Sequence, residues 1–561
     1  MHKNIYDKLE FLYGDEAKGV YQKLMNIIEK YKISDKDFDF SEKDVILITY
    51  GDSIKKNNEK PLNTLHHFLN EYVKDSINTV HILPFFPYSS DDGFSVIDYK
   101  QVNPELGSWE DIQSLSKDYK LMFDAVINHI SKESKWFQEY LKGNKKYKNY
   151  FIEQEPVEEL KNVTRPRALP LLHVYKTASG EEKHIWTTFS EDQIDLNYKS
   201  TDLFLEIVEI LLFYAKMGAK LIRLDAIGYL WKEIGTSCIH LKQTHVMIQL
   251  FRDILNLTAK DVILITETNV PHHENISYFG NGYNEAQMVY NFSLPPLVLY
   301  SFLFHDATVI SKWAYTLETP SDKTTFFNFL ASHDGIGLMP AKGILKDEDI
   351  DFLVEHTLRN NGLVSYKSNP DGTKSPYELN INYFDALYDE NESMELNIRK
   401  FISAYAIAAA MKGIPGIYIH SLLGSRNYLE GVKITGMNRT INREKLNYDT
   451  LISELNDKSS LRFKIFNTFK HMLDIRKKHK AFNPKGKQMV MFYDDSVFAF
   501  MREFKDERVL VLTNVANREI TLDIDNPLSK NPYDFLNNTS VDISDNKLHI
   551  ILKPYETKWL K

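Results

Sequence analysis

Four short segments, each following an apolar, β-like run, constrain the fold of this chain most strongly. They are DAVINH, IRLDAIGY, ILITETN and ASHDGIG, which carry His129, Asp225, Glu267, His333 and Asp334. In a parallel β/α barrel the active site is built at the carboxyl ends of the strands. The sequence therefore predicts that three acids and two histidines converge at the mouth of a barrel.

Apolar runs rich in β-branched or aromatic residues alternate along the chain with amphipathic, helix-like stretches. Continuous apolar strands separated by helices are typical of a parallel sheet that is covered on both faces. The candidate strands are residues 45–50, 79–85, 120–128, 220–225, 262–267, 288–292, 325–332 and 416–419. These eight β/α units predict an α/β fold of the (β/α)8 TIM-barrel type.

Two stretches interrupt the predicted barrel, which we place at residues 43–130 and 198–480. Residues 131–197 are too long for one βα loop and contain the proline-punctuated RPRALP, so they predict a subdomain inserted after the third strand. Turn-rich sequence within residues 345–392 predicts a second insertion, after the seventh strand.

The two ends of the chain differ from the barrel in pattern. Short alternating strands in residues 484–561 predict a C-terminal antiparallel β-sandwich. Residues 1–42 have a helical pattern and predict an extension packed on the outside of the barrel.

The composition limits the kinds of molecule that this protein is expected to bind and the compartment in which it is expected to work. The formal net charge of −9 gives no basic surplus for nucleic acid. The single cysteine, Cys238, excludes an internal disulfide framework and fits a reducing compartment. We find neither a signal-peptide-like start nor an apolar run of membrane length, so we expect a cytoplasmic protein with no membrane partner.

The four strand-end segments resemble the four signature regions of the α-amylase clan, glycoside hydrolase family 13. VHILPFFP, DDGFSVIDY, GSWEDI, RPR, GTSC and the INR ending at Arg443 resemble the sucrose phosphorylase subfamily. The resemblance covers nearly the whole chain from about residue 44. Taken singly, a buried aspartate at a strand end is more often a helix cap or an ion-pair partner. All the motifs in the same order outweigh that interpretation.

The resemblance implies a retaining two-step mechanism. Such chemistry needs one carboxylate nucleophile and one carboxylic acid, about 5 Å apart. By resemblance, Asp225 is the nucleophile, Glu267 the acid/base and Asp334 the transition-state stabiliser. Arg223 lies two positions before Asp225, so in a strand the two side chains share a face and the arginine favours the ionised nucleophile. Glu267 must instead hold a proton at neutral pH, which requires a dry site or nearby carboxylates.

A closed pocket for a single glucosyl unit is also implied. His129 and His333 resemble the pair that bonds hydroxyls of the sugar, and Asp91 with Arg443 resembles the pair that closes the far end of the pocket. The remaining candidates for binding the sugar are Phe94, Phe189, Gln193 and Tyr229. Asn128 matches an asparagine that commonly helps bind calcium in amylases, but the subfamily resembled does without the ion, so we predict no metal and no cofactor.

The acceptor side departs from the sucrose phosphorylase pattern. Asn269 replaces a histidine, and Tyr366 and Lys367 replace the loop that contacts fructose. PGIYIHSLLGSRN, which contains Arg426, and INREKL are more similar to the glucosylglycerate phosphorylases of the same subfamily. Arg167 in RPR resembles the subfamily arginine that contacts phosphate or the acceptor. The implied reaction transfers glucose between 2-O-α-D-glucosyl-D-glycerate and phosphate, giving α-D-glucose 1-phosphate and D-glycerate.

Other interpretations stay open at this point. The same mechanism serves sucrose, sucrose 6-phosphate or glucosylglycerol as the glucoside, or water as the acceptor in an α-glucosidase. A non-catalytic amylase-like scaffold is a remote alternative, because a scaffold has no reason to keep Asp225, Glu267 and Asp334 together. In each catalytic case the partners are small molecules, phosphate is a substrate, and a homodimer is compatible with the sequence.

Overall fold

The computed structural model describes residues 2–369, 372–528 and 532–561. Within these residues eight parallel strands close into a barrel, in chain order. They are β1 (Ile46–Thr49), β2 (Thr79–Ile82), β3 (Lys120–Ala125), β4 (Ala219–Leu224), β5 (Ile263–Thr266), β6 (Met288–Tyr290), β7 (Thr325–Phe329) and β8 (Ile414–Tyr418). Each overlaps one of the runs predicted from the sequence, and the prediction of a TIM barrel is confirmed.

The strands are apolar because both of their faces are buried. Every residue of β1 and of β7 is buried, as expected for a sheet with side chains inside the barrel and helices outside it. The barrel interior is filled tightly: a Cβ on Gly416 of β8 would lie 2.3 Å from the ring of Phe327 on β7. A glycine there leaves room for the phenylalanine in the interior layer.

Helices cover the outside of the barrel between successive strands. Their ends are set by local side chains: Ser108 and Asp111 form a capping box, and Ser200 and Ser460 accept N-cap hydrogen bonds. The main helices of this layer are Pro61–Tyr72, Trp109–Asp118, Thr201–Lys216, Lys242–Thr258, Leu294–Phe304, Thr308–Tyr315, Met394–Ala410 and Leu461–Arg476. Shorter helices at the rim are His272–Asn275, Ile419–Leu422, Leu429–Thr435 and Tyr448–Asn456.

The segments predicted as insertions form small structures over the carboxyl ends of the strands. The first contains helix Lys135–Leu141 and the antiparallel pair Leu172–Lys176 and Glu182–Trp186. In addition, His129–Ser131 pairs with Gln193–Asp195. The second contains helices Asp347–Arg359 and Tyr383–Leu387 and the antiparallel strands Leu363–Ser368 and Lys374–Asn380. We call these two strands the rim hairpin. The exact limits of both insertions stay predictions.

At the C-terminus two antiparallel sheets face each other, which confirms the predicted C-terminal β domain. Their longer strands are Lys487–Met491, Val497–Phe504, Glu507–Asn514, Ile520–Asp525, Lys547–Leu552 and Thr557–Leu560. At the N-terminus helices His2–Tyr13 and Ala17–Lys30 pack on Lys242–Thr258 and Thr201–Lys216, outside the barrel. Across the described ranges, no helix combines the length and the apolar character needed to cross a bilayer.

Candidate active site

Both predicted catalytic carboxyl groups contact one buried guanidinium. Arg223, on β4, places NH1 2.8 Å from Asp225 Oδ1 and NH2 3.7 Å from Glu267 Oε2. Asp225 follows β4 and Glu267 follows β5, so neighbouring parallel strands deliver the two acids to the same edge of the barrel. Two carboxyl groups that share one cation in a dry site are suited to a nucleophile and a proton donor.

A buried acid on β3, Asp124, pairs with Arg223 inside the barrel. Asp124 contacts Arg223 NH1 and lies 2.6 Å from His81 Nε2 on β2. Burial alone would raise the pKa of Asp124, but Arg223 and His81 lower it to about 2. The ionised Asp124 therefore fixes the guanidinium beneath the reacting groups.

Glu267 and Asp225 lie in different surroundings. Burial, together with the negative charges of Asp225 and Asp334, raises the pKa of Glu267 to about 7, against the opposing effect of Arg223. The Glu267 carboxyl also accepts a 3.0 Å hydrogen bond from the N–H of Ala226, whose φ of 48° is left-handed. Burial raises the pKa of Asp225 as well, but Arg223 at 2.8 Å favours its ionised form. Because Arg223 lies 2.8 Å from Asp225 but 3.7 Å from Glu267, the geometry favours Glu267 as the proton donor.

Two neutral histidines face the same space. Burial lowers the pKa of His129 and lowers that of His333 well below its ordinary value. His129 Nε2 donates to the carbonyl of Phe94 at 2.8 Å, and the ring of Phe94 stacks on His333 with centroids 4.8 Å apart. A neutral imidazole can both donate and accept, as a sugar hydroxyl requires of its partner.

The far end of the pocket differs from the sequence prediction. Arg443 NH1 pairs with Asp92 at 2.6 Å, whereas Asp91 pairs with Arg167 NH2 at 2.9 Å. The predicted Asp91–Arg443 pair is thus wrong for this structure. Both aspartates have left-handed backbone, with φ of 54° and 49°, so the chain turns between them and sends the two carboxylates to different partners. Burial would raise the pKa of Asp91, but Arg167, Arg439 and Arg443 lower it well below its ordinary range.

Most of the predicted site residues line one cavity of about 80 Å³. Those that line it are Asp91, Phe94, His129, Arg167, Phe189, Gln193, Asp225, Glu267, Asn269, His333 and Asp334. Arg223 lies beneath Asp225, Tyr229 packs edge-on against Phe189 with centroids 5.5 Å apart, and Arg443 lies 3.8 Å from Asp334.

Three predicted acceptor residues lie away from this cavity. Tyr366 is 46% exposed, and Lys367 follows it on the outer strand of the rim hairpin. Arg426 pairs with Asp385 and lines a separate surface cavity of about 520 Å³. The structure therefore does not bring Tyr366, Lys367 and Arg426 to the catalytic groups.

The opposite strand of the hairpin enters the cavity instead. Tyr377 and Glu378 line it together with Arg439, and sequence reasoning missed all three. Ser365 pairs with Glu378 and Tyr366 with Pro376, so Tyr377 is the extra residue of a β-bulge, which redirects its side chain. Arg439 lies four residues before Arg443 in NRTINR, but this spacing alone does not mark it as a site residue.

A lysine amine occupies the position beside Asn128. Lys232 Nζ lies 2.9 Å from Asn128 Oδ1 and 2.6 Å from Asp195 Oδ2. All three residues are buried. In the part of the chain that the structure describes, no cluster of three or more histidine, cysteine, aspartate or glutamate side chains is arranged to hold a metal ion.

We expect exhaustive chelation to leave the melting temperature unchanged, because the Lys232 ammonium already neutralises the buried Asp195. Scanning calorimetry with and without EDTA measures this. A melting temperature that falls with EDTA and is restored by calcium would contradict the expectation.

Comparison with known proteins places this site in a family. Residues 66–338 match the α-amylase catalytic domain, and residues 489–559 match the maltogenic amylase C-terminal domain. The chain is 49% identical to glucosylglycerate phosphorylase of Spirochaeta thermophila over 91% of this chain and 89% of that protein. It belongs to the α-amylase family.

Further similarities in this family extend over nearly the whole molecule. The chain is 44% identical to glucosylglycerate phosphorylase of Escherichia coli strain K12, over 100% of both chains. Among solved structures it is similar to sucrose 6F-phosphate phosphorylase from Thermoanaerobacter thermosaccharolyticum, with a TM-score of 0.75 and 26% identity, over 89% of this chain and 97% of that one. The predicted membership of the α-amylase clan and the similarity to sucrose phosphorylases are confirmed.

Proposed function

We propose that this protein is a retaining glycoside phosphorylase that transfers a glucosyl unit between 2-O-α-D-glucosyl-D-glycerate and phosphate. The observation that carries the proposal is the pairing of Asp225 and Glu267 on one arginine in a chain 44–49% identical to named glucosylglycerate phosphorylases. The products are α-D-glucose 1-phosphate and D-glycerate. Phosphate is a substrate, and the residues present need no cofactor for this chemistry.

The reaction takes two displacements at the anomeric carbon. First, the Asp225 carboxylate attacks C1 while Glu267 gives its proton to the leaving oxygen of glycerate, which breaks the C1–O bond and forms a glucosyl ester. Second, a phosphate oxygen attacks C1, the ester bond breaks, and a proton from phosphate can return to Glu267. Each displacement inverts C1, so the α-configuration is retained.

Arg167 is the cation best placed for the anionic acceptors. Of the described residues that line the cavity, the cationic ones are Arg167 and Arg439. Arg439 is engaged by Glu378 through two nitrogens, whereas the one hydrogen bond of Arg167 among the described residues goes to Asp91. Asp91 also faces the sugar pocket, so hydroxyls of a bound glucosyl unit would compete with Arg167 for its carboxylate. The N–H groups of the Arg167 guanidinium would then be free to bind a carboxylate or phosphate.

The decisive experiment is reverse synthesis from glucose 1-phosphate with D-glycerate, glycerol and fructose as separate acceptors. We expect D-glycerate to exceed glycerol by about 10²-fold or more in kcat/KM, since glycerol has no carboxylate to pair with the partly exposed Arg167 guanidinium. Efficient synthesis with fructose but not with glycerate would identify a sucrose phosphorylase, and steady glucose release independent of phosphate would identify a hydrolase. Arg167→Gln should raise the KM values for phosphate and glycerate together.

We expect kcat/KM for the glucoside donor to fall as pH rises through about 7, because Glu267 gives its proton only while it is protonated. In a two-step mechanism this parameter reports the first displacement alone, so the titration of phosphate does not affect it. Initial rates from pH 5.5 to 9 test it. A flat profile up to pH 9 would show that Glu267 is not the titrating acid.

A further inference from the structure

The carboxylate of Asp334 is held by an arginine that the sequence patterns did not single out. Arg439 places NH1 2.7 Å from Asp334 Oδ1, and Arg443 NH2 lies farther away, at 3.8 Å from the same oxygen. No well-directed hydrogen bond reaches Oδ1 from the described residues, so this oxygen can still accept a sugar hydroxyl. Arg439 is thus the nearest charged neighbour of the predicted transition-state stabiliser.

The orientation of Arg439 is set by Glu378. The carboxylate of Glu378 receives Nε at 3.0 Å and NH2 at 2.7 Å, and Glu378 is only 1% exposed. Two parallel hydrogen bonds fix the plane of a guanidinium as well as its position. With these two nitrogens fixed, the third, NH1, is held 2.7 Å from Asp334 Oδ1.

Glu378 also fixes the backbone that follows Asp334. Its Oε1 accepts a 3.0 Å hydrogen bond from the N–H of Gly335. The approach is close, because a Cβ on Gly335 would lie 2.5 Å from Glu378 Cγ and 2.4 Å from a backbone oxygen of the same strand. The contacts form a closed ring from Asp334 through Gly335, Glu378 and Arg439 back to Asp334.

We propose that Arg439 and Glu378 are positioning residues that hold the Asp334 carboxylate for glucosyl transfer and do not bind the incoming anion. The proposal rests on the proposed function in one respect, that Asp334 stabilises the transition state. It is independent of which acceptor the protein uses. Because Glu378 adjoins Tyr377 of the bulge, the rim hairpin carries both a cavity-lining ring and the support of Asp334.

The test measures the first displacement without any natural acceptor. The donor is α-D-glucosyl fluoride, water is the acceptor, and fluoride release in the first turnover gives the rate. We expect Arg439→Gln to slow this step roughly 10- to 100-fold, because a displacement of about 1 Å in a reacting group can cost about that much. The KM for phosphate in the complete reaction should stay close to that of the unmodified protein.

Further variants separate orientation from charge. Arg439→Lys keeps the positive charge but loses the planar guanidinium that makes two parallel hydrogen bonds, so its fluoride release should remain slow. Glu378→Gln should also slow fluoride release, and the double variant should be no slower than Arg439→Gln alone, because both act through Asp334. Arg462→Gln is a matched control: Arg462 pairs with Glu454 at 2.6 Å and does not line the cavity.

The outcomes decide between two roles. Normal fluoride release by Arg439→Gln with a raised KM for phosphate would overturn the proposal and make Arg439 an anion-binding residue. Full recovery in Arg439→Lys would also overturn it, because charge alone would then suffice. Neither result depends on glycerate, so failure of the proposed acceptor and failure of this proposal are distinguishable.

Discussion

Asp225→Asn should lower turnover by at least about 10⁴-fold, or about 5.5 kcal/mol in the barrier, with every donor. The amide cannot form the glucosyl ester, so the first displacement has no nucleophile. The substitution keeps the shape of the side chain. The amide oxygen can still accept a hydrogen bond from Arg223 NH1, which lies 2.8 Å from the Asp225 carboxylate in the unmodified protein. Arg223 also keeps Asp124 as its anionic partner, so we expect the fold to survive. Glucose 1-phosphate release and circular dichroism measure the two effects.

A matched control for the loss of a buried, paired carboxylate is Asp253→Asn. Asp253 is 7% exposed and pairs with Lys8 at 2.5 Å on the outside of the barrel. This variant should lose stability but not activity. With α-D-glucosyl fluoride, Asp225→Asn should accumulate no covalent glucosyl-protein in intact-mass spectra, whereas near-normal fluoride release would remove Asp225 from the role of nucleophile.

The barrel could be predicted from the sequence because its strands are buried on both faces and its chemistry lies at strand ends. A continuous apolar run such as ILIT in β5, followed directly by Glu267, indicates both the element and the place of the acid. The contact between Arg223 and Asp225 could be predicted because residues two apart in a strand point to the same face. Local pattern is sufficient for such residues because one strand fixes each of them.

Residues carried by the long loops could not be predicted in the same way. Asp91 and Asp92 are adjacent in sequence, and their left-handed backbone decides which of them meets Arg443. In the rim hairpin the bulge decides that Tyr377 enters the cavity and Tyr366 remains exposed. These choices depend on how separate segments pack, and no short-range sequence pattern records that.

Glu267→Gln should slow the natural reaction by about 10³- to 10⁴-fold but leave fluoride release from glucosyl fluoride within about tenfold of normal. Glycerate departs as an alkoxide unless it receives a proton, whereas fluoride leaves with little help. The matched control is Glu285→Gln, since Glu285 is 4% exposed and pairs with His245 at 2.8 Å. Equal losses with both donors would mean that Glu267 supports the site in some other way than by proton transfer.

The second displacement makes this variant more informative. Phosphate at neutral pH is already an anionic nucleophile, but water needs a base to remove its proton as it attacks C1. Glu267→Gln should therefore convert glucosyl fluoride and phosphate to glucose 1-phosphate while forming less free glucose than the unmodified protein. Asp225→Asn should form neither product. The ratio of glucose 1-phosphate to glucose thus assigns separate roles to two carboxyl groups that contact the same arginine.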